Sequence, residues 1–276
     1  LTFDIDSGTL NLTELQAIQG TTGLDVTFSG ATKVSDSLSN ASNTKRSVLQ
    51  ALVSGDANAP VTISGTVSSN SDLDSLNTVL GDVSGAVTAS VSASATEIKA
   101  RLITGKNASN GDALSYTIAT DNISVGDINT IVGKTSLPTI ALDTGIKIAD
   151  SIDNLMANGV ALEGAANTAI AALSSGKPSI VLDTITAVTA GNITKINGLV
   201  GLAAVEDVTA TVQDSNGGVI LANALTVGND DSFTVKTGTY SLDNAKRNAL
   251  ITLAKQAGVS KVTGTVGGVT EAHTDE

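Results

Sequence analysis

One short motif recurs along the chain and constrains its fold more than any other feature. In the clearest copy, Val-Thr-Ala-Ser-Val (residues 87–91) precedes Ser-Ala-Thr-Glu-Ile-Lys-Ala-Arg-Leu (residues 94–102). The first run alternates apolar and polar residues, which predicts a strand. Ser94 followed three residues later by Glu97 predicts a helix that begins with a capping box, in which the Glu97 carboxylate reaches back to the Ser94 N–H. Gly105 predicts the end of that helix.

The helical half of the motif has a common pattern of caps and aliphatic residues. A capping residue is followed by two variable positions, a carboxylate or amide residue, and two aliphatic residues spaced three apart. Predicted strands begin roughly every 24 to 29 residues, a spacing typical of solenoid repeats. We therefore interpret the copies as repeats. The predicted structural helix caps are Asn11, Glu14, Ser69, Asp72, Ser94, Glu97, Ser124, Asp127, Thr189, Asn192 and Ser241.

The lengths of the two halves predict how the repeats stack. A strand of about 5 residues spans about 17 Å and a helix of about 10 residues about 15 Å, so each repeat returns to its starting edge. Aromatic residues make up only 2% of the chain, which favours a thin aliphatic core. The predicted fold class is α/β: a right-handed β/α solenoid with one strand and one short helix per repeat of about 25 residues and a parallel sheet on one face.

The repeats predict one elongated array over residues 1–276. Residues 35–44, rich in Ser, Asn and Thr, are interpreted as a surface excursion within the second repeat. In the irregular repeat, residues 148–155 and 163–173 are predicted helices. This part of the chain is either one long repeat or two repeats, in which case residues 160–162 are the remnant of the second strand. The array divides into regular repeats over 1–136, an irregular repeat over 137–177, repeats over 178–266 and a polar tail over 267–276.

Both ends of the sequence lie inside the repeat rhythm. Residues 1–5 and 261–266 are predicted strands, and neither end has a polar capping repeat of the kind solenoids need. We expect the array to continue through adjoining repeats of a longer chain or through other copies of itself. Alternation along the strands places Thr and Ser on the outer sheet face, either as a solvated surface or as a lateral, adhesive one.

Composition excludes several classes of function. The formal net charge is −12, which argues against nucleic acid as a partner. The chain has no cysteine and its one histidine, His273, lies in the polar tail, so neither a zinc site nor a histidine-based triad can be assembled. The sequence contains no stretch of 18 consecutive apolar residues, so no membrane-spanning helix is predicted. We therefore predict a non-enzymatic protein.

Calcium is the one cofactor for which the sequence offers candidate ligands. Asp143, Asn229, Asp230 and Asp231 lie in predicted loops and carry the oxygen ligands that Ca²⁺ prefers. Neither the loop at Asp143 nor the loop at residues 229–231 has the spacing of an EF-hand loop. The alternative interpretation is that both are solvated acidic loops. No other cofactor is expected.

Two pairs of runs carry a resemblance to a known type of repeat: residues 87–91 with 94–100, and Leu-Ser-Tyr-Thr-Ile (114–118) with Ser-Val-Gly-Asp-Ile-Asn-Thr-Ile (124–131). Their alternation resembles the Ala/Thr/Gly-rich repeats of very large surface proteins from marine cyanobacteria and related bacteria, and of structural proteins of their phages. The resemblance implies an extracellular location, on a cell surface or a virion appendage, and a fibrous or adhesive role. It supplies no catalytic residues.

The predicted function is that of a structural or adhesive repeat protein. The chain would form a segment of an extracellular surface fibre, filament or S-layer-like sheet that assembles by repeat stacking and end-to-end contacts. The alternative is a glycan-binding module of the phage tail-fibre or tailspike type, against which the shortage of Tyr and Trp counts. An interaction scaffold inside the cell is disfavoured by composition alone.

Overall fold

A computed structural model describes most of the chain, which divides into two compact units. The structure describes residues 2–5, 8–22, 25–28, 33–159, 161–174, 176–185, 189–214, 232–240, 252, 255, 259–266 and 269–273. The first unit comprises Leu1–Asp121 and Asp127–Thr144, and the second comprises Asn122–Gly126 and Gly145–Glu276.

The first unit contains two parallel sheets. Strands β1 (Thr2–Ile5) and β3 (Asp25–Phe28) form a two-stranded sheet. The six-stranded sheet has the order β2-β4-β5-β6-β7-β8, and all its pairs are parallel. Its strands are β2 (Thr9–Leu10), β4 (Lys33–Ser37), β5 (Val61–Val67), β6 (Val87–Ala93), β7 (Ala113–Ile118) and β8 (Ala141–Leu142).

Helices separate most of these strands along the chain. In α3, aliphatic residues three or four positions apart form the buried face, namely Leu73, Leu76, Val79 and Leu80. Helix α4 continues into a π-helical turn, Lys99–Ile103, and a second π-helical turn spans Asn40–Thr44. The helices are α1 (Leu12–Thr22), α2 (Arg46–Gly55), α3 (Asn70–Asp82), α4 (Ala95–Ile98) and α5 (Val125–Val132), of which the first two residues of α5 belong to the second unit.

The second unit contains the other six-stranded sheet. Five of its strands are parallel in chain order, and β14 closes the edge as an antiparallel partner of β13. The strands are β9 (Ile148–Asp150), β10 (Ile180–Ile185), β11 (Val208–Asp214), β12 (Ser232–Tyr240), β13 (Val259–Val266) and β14 (Val269–His273). The described helices are α6 (Ile152–Leu155), α7 (Gly164–Ala171) and α8 (Ala190–Val200).

The sheets pair strands that are close neighbours in the sequence. Parallel partners are between 23 residues apart, as in Thr2 with Asp25, and 32 residues apart, as in Ile148 with Ile180. Parallel neighbours at this spacing require a crossover connection, which described helices supply between β1 and β3, between the strands from β4 to β8 and between those from β9 to β11. The α/β class and the parallel sheet predicted from the sequence are confirmed.

Burial alternates along the central strands of the first unit. In β6, Val87, Ala89, Val91 and Ala93 are buried, whereas the intervening residues are exposed or half-exposed. The core is almost entirely aliphatic, and Tyr116 in β7 is the largest fully buried side chain among the described residues. Small aliphatic side chains therefore fill the space between sheet and helices, as the composition predicts.

Two predictions about local structure are wrong. Residues 35–44 are not a surface excursion, because they contain most of β4 and the π-helical turn Asn40–Thr44. Residues 148–155 are not one helix, because Ile148–Asp150 pairs with β10 and only Ile152–Leu155 is helical. In both places an aspartate in the last two residues of the strand binds the backbone of an earlier helix, an interaction between residues distant in sequence.

Other predicted elements have different outcomes. Leu162, in the predicted strand remnant, pairs with Met156 in an isolated antiparallel bridge. Part of the predicted polar tail, Val269–His273, is strand β14. The helix predicted to start at Ser241 lies outside the described residues. Among the residues that the structure describes, no helix is long and apolar enough to span the hydrocarbon core of a bilayer.

Candidate functional site

Hydroxyl-bearing side chains cover one face of the six-stranded sheet of the first unit. We call this surface the hydroxyl face; its residues are exposed or half-exposed. In-register pairing arranges them in rows across the strands: Ser35 with Thr62 and Thr88, Thr66 with Ser90 and Ser115, and Ser92 with Thr117. The face thus comprises Ser35, Thr62, Thr66, Thr88, Ser90, Ser92, Ser115 and Thr117.

The spacing of the hydroxyl face follows from sheet geometry. Neighbouring strands lie about 4.8 Å apart, and alternate residues along a strand about 6.6 Å apart. Threonine favours strands because its β-branched side chain packs well on a pleated surface, and its hydroxyl keeps that surface polar. Parallel sheets generally have both faces covered, so an exposed face of this kind is a candidate contact surface.

A carboxylate at the end of β4 holds the start of α1. Asp36 Oδ2 accepts a hydrogen bond from the Leu12 N–H at 2.8 Å. Its other oxygen accepts from the Ser37 N–H at 2.7 Å and from Asn40 Nδ2 at 2.8 Å. The side chain therefore joins the end of one strand to the helix that lies 24 residues earlier.

The second unit repeats this arrangement atom for atom. Asp150, at the end of β9, accepts from the Val125 N–H at 3.0 Å through Oδ2. Through Oδ1 it accepts from the Ser151 N–H at 2.8 Å and from Asn154 Nδ2 at 2.7 Å. An Asp-Ser-x-x-Asn sequence underlies both sites, at residues 36–40 and 150–154. We call Asp36 and Asp150 the strand-end clamps.

Two buried polar side chains hold the starts of strands in the first unit. Asp112 Oδ1 accepts from the Val87 N–H at 3.0 Å, and Thr135 Oγ1 accepts from the Leu114 N–H at 3.0 Å. Each is only 6% exposed. Elsewhere a main-chain carbonyl takes this role, as Ala86 does for the Val61 N–H. These side chains replace main-chain hydrogen bonds between successive strands.

Charged and amide side chains link each helix of the first unit to the next. Lys45, at the start of α2, donates to Gln16 of α1 at 2.5 Å. Arg46 of α2 donates two hydrogen bonds to Asp82 of α3, at 2.6 and 3.0 Å. We call the full set the polar ladder; its remaining links are Arg101 with Asp74 at 2.6 Å and Lys99 with Asp127.

The Arg46–Asp82 link gives a prediction for acid unfolding. The hydrogen bonds from Arg46 lower the pKa of the Asp82 carboxyl below its ordinary value. The stability gained from the ionised form is therefore fully present above an ordinary carboxyl pKa of about 3.9 and is lost as the pH falls through the lower folded value. We expect Asp82→Asn to be less stable than the parent chain at pH 7 and to approach it below about pH 4.

Urea unfolding at stepped pH values measures this difference directly. Asp143→Asn, at an exposed turn where the carboxylate accepts from the Thr144 N–H, controls for the loss of one charge. A deficit of Asp82→Asn that stays constant from pH 7 to pH 3 would contradict the assigned role.

Apart from Ser241, the predicted caps lie at the starts of described helices. Full capping boxes form at Asn11 with Glu14 and at Ser69 with Asp72. Thr189 accepts from the Asn192 N–H at 3.2 Å. Ser124 precedes α5, and the N–H of the next residue, Val125, donates to Asp150. Ser241 lies outside the described residues.

The motif at residues 94–102 differs from its prediction in one respect. Ser94 accepts from the Glu97 N–H at 3.1 Å, as a cap does. The Glu97 carboxylate, however, accepts from Arg101 Nε at 2.7 Å and does not complete the box. Arg101 also donates to Asp74 of α3, at 2.6 Å.

Of the four calcium candidates, only Asp143 lies in the described part of the chain. Asp143 is exposed and accepts from the Thr144 N–H, while residues 229–231 lie outside the description. Within the described ranges, no group of three or more His, Cys, Asp or Glu side chains could hold a metal ion.

One cleft of the second unit is lined by two carboxylates, those of Asp150 and Glu163. It has a volume of about 340 Å³ and is lined by Val125, Gly126, Asp150, Asn154, Glu163 and Ala165. Both Asp150 oxygens already accept hydrogen bonds from the protein, so the clamp explains that carboxylate. The cleft presents only one further carboxylate, that of the exposed Glu163.

Tyr116 carries a polar atom that its surroundings do not satisfy. Its hydroxyl is buried and has no hydrogen-bond partner, alone among the buried side-chain polar atoms of the described residues. Burial, with a smaller contribution from Asp112, raises the pKa of this phenol, so it stays neutral at physiological pH.

We expect Tyr116→Phe to leave the free energy of unfolding unchanged or to raise it by about 1 kcal/mol, because the change removes an unsatisfied buried hydroxyl and keeps the ring. Urea denaturation followed by circular dichroism measures the change. A loss of more than about 1 kcal/mol would show that the hydroxyl has a stabilising partner.

No protein-family model, curated protein or solved structure matches the chain.

Proposed function

We propose that the chain is a non-enzymatic structural or adhesive protein, a segment of an extracellular fibre, filament or surface layer. In this proposal its strands and helices are the layers of a β/α solenoid. The observation that carries the proposal is the strand order: both six-stranded sheets follow the chain, with parallel partners throughout except at β14.

The linkage between layers supports a structural role. The polar ladder joins each helix of the first unit to the next, and Asp36 and Asp112 join strands to backbone amides about 25 residues away. Each bond of this kind resists the separation of two layers. The strand-end clamps use the same Asp-Ser-x-x-Asn sequence in both units, which favours a common repeated design.

The hydroxyl face is the surface through which we propose that copies of the chain, or a surface glycan, make lateral contacts. Its side chains are short, so an approaching surface can come close to the sheet, and each hydroxyl both donates and accepts a hydrogen bond. The net charge of −12 opposes close approach of two copies. We therefore expect divalent cations or added salt to favour assembly.

Electron microscopy of the purified chain, with Ca²⁺ or with a chelator, tests the proposal. Ordered filaments or sheets are the expected result. A variant with Thr88, Ser90 and Ser115 all changed to lysine should remain folded but assemble less, because it places like charges on the hydroxyl face. The matched control changes three exposed residues of helices, Thr13, Ala51 and Ser54, to lysine.

Two results would contradict the structural role. A chain that stays monomeric under all conditions and cleaves or tightly binds a polysaccharide would favour the glycan-recognition alternative. Assembly that responds equally to both triple-lysine variants would show that the hydroxyl face is not the contact surface.

A further inference from the structure

We propose that the turn formed by residues 109–112 is a self-modifying site, at which Asn110 loses its side-chain amide nitrogen and becomes aspartate or isoaspartate. The turn is closed by a hydrogen bond from the Asp112 N–H to the Ser109 carbonyl at 3.2 Å. Gly111 follows Asn110 and has no Cβ, so its backbone nitrogen can approach the Asn110 side-chain carbonyl carbon, Cγ, with little steric opposition.

The turn holds a proton path from the attacking nitrogen to a carboxylate. The Gly111 N–H donates to Ser109 Oγ at 3.2 Å, and Ser109 Oγ donates to Asp112 Oδ2 at 2.9 Å. Asp112 is buried and is held in place by the Ser109 and Val87 amides. Asn110 is exposed, and its side chain has no partner within the part of the chain that the structure describes.

The reaction balances with water as the only co-reactant. The Gly111 nitrogen passes its proton through Ser109 Oγ towards Asp112 and forms a bond to Asn110 Cγ. The bond between Cγ and Nδ2 then breaks, ammonia leaves with that proton, and a five-membered cyclic imide remains. Water opens the imide at either carbonyl, which gives aspartate or isoaspartate. Positioned proton acceptors of this kind contribute about 10²- to 10⁴-fold to such steps.

Two other Asn-Gly dipeptides in the described part of the chain lack the open turn and the proton path found at Asn110. Asn197 and Gly198 lie inside α8, whose helical hydrogen bonds hold the backbone away from the geometry of attack. Gly159, after Asn158, is buried against Thr194, where a Cβ on the glycine would lie 2.7 Å from Thr194 Cγ2. The structure therefore favours reaction at Asn110 over both.

The modification would act on a layer contact. It adds a negative charge two residues from Asp112, and isoaspartate lengthens the backbone of the turn by one atom. Asp112 holds the Val87 N–H at the start of β6. Ageing of the chain would therefore weaken one connection between adjacent layers.

Peptide mapping by mass spectrometry after prolonged incubation of the full chain at mildly alkaline pH tests the proposal. Asn110 is expected to react fastest of the three described Asn-Gly steps. Ser109→Ala, which removes the relay hydroxyl, should slow Asn110 about tenfold or more, whereas Ser109→Thr should keep most of the rate. Asn158 and Asn197 serve as internal controls for folding, since their rates should not change.

The same comparison in urea separates the relay from the local sequence. Unfolded parent chain and unfolded Ser109→Ala should react at equal rates, because no relay forms there. The proposal is overturned if Asn110 reacts no faster than Asn158 and Asn197 in the folded chain. It is also overturned if Ser109→Ala leaves the folded rate unchanged or slows the unfolded chain equally.

Discussion

Replacing Gly198 by alanine is expected to destabilise the second unit by about 3 kcal/mol. A Cβ at this position of α8 would lie 1.7 Å from the Gly159 carbonyl oxygen and 2.5 Å from its carbonyl carbon. Both atoms belong to the backbone, so no side-chain rotation can relieve the overlap. Gly159 has a φ of +85° and itself lies against Thr194, which leaves it little freedom to move away.

Gly191→Ala is the matched control because it makes the same substitution in the same helix. The nearest atom to a Cβ there is Thr189 Oγ1, at 3.6 Å, an ordinary contact. Alanine is a better helix former than glycine, so this variant should be as stable as the parent or more stable by up to about 1 kcal/mol. Equal stability of the two variants in urea unfolding would contradict the close packing of α8 on Gly159.

Removing a strand-end clamp is the second large effect that we expect. Asp36→Ala and Asp150→Ala should each lower the free energy of unfolding by about 2 to 4 kcal/mol, since each carboxylate accepts three hydrogen bonds and its loss leaves those donors without their partner. The exposed Asp143 accepts from the Thr144 N–H, so Asp143→Ala should change stability by less than about 0.5 kcal/mol. Thermal or urea unfolding monitored by circular dichroism measures all three.

Amide hydrogen exchange shows whether the loss has the assigned cause. In Asp36→Ala, the Leu12 amide should exchange faster while the Val125 amide stays protected, and Asp150→Ala should have the opposite effect. If both amides respond equally to either change, the variants act through general destabilisation and the clamps are not local devices.

The strands and caps of the first unit could be predicted because their signals are local. Alternation over residues 87–91 reflects burial of every second side chain, which a short window of sequence contains. The caps at Asn11 and Ser69 bind amides three residues later, so the same window contains both partners. Neither prediction needs knowledge of the tertiary fold.

The strand-end clamps could not be recognised in the same way. Asp36 lies in a run rich in Ser and Asn that has the composition of a loop, and its decisive partner, the Leu12 N–H, lies 24 residues earlier. The helix prediction for residues 148–155 is wrong for the same reason, because the partner of Asp150, the Val125 N–H, lies 25 residues earlier. The sequence does contain one indication, the Asp-Ser-x-x-Asn pattern shared by residues 36–40 and 150–154. Its meaning becomes clear only once β4 and β9 are known to end within that pattern.

The polar ladder and the buried strand-start contacts depend equally on the tertiary fold. Asp82 and Arg46 lie 36 residues apart, so their pairing follows from the packing of α2 against α3. Asp112 and Thr135 replace main-chain hydrogen bonds at single strands, and no periodic pattern marks them. Sequence periodicity thus predicts the strands and helices of each layer. The hydrogen bonds between layers can be predicted only when the register of one layer on the next is known.

The stacking of strands in chain order is the claim on which the proposed function rests, and cysteine cross-linking tests it most directly. The chain has no cysteine, so a pair introduced at Ser90 and Ser115 on the hydroxyl face would be the only one. These in-register partners lie about 4.8 Å apart, within the range that a disulfide spans. A pair at Ser90 and Thr117 is offset by two residues and lies beyond about 7 Å. The account predicts rapid intramolecular disulfide formation for the first pair only; equal rates, or cross-linking of the offset pair alone, would contradict it.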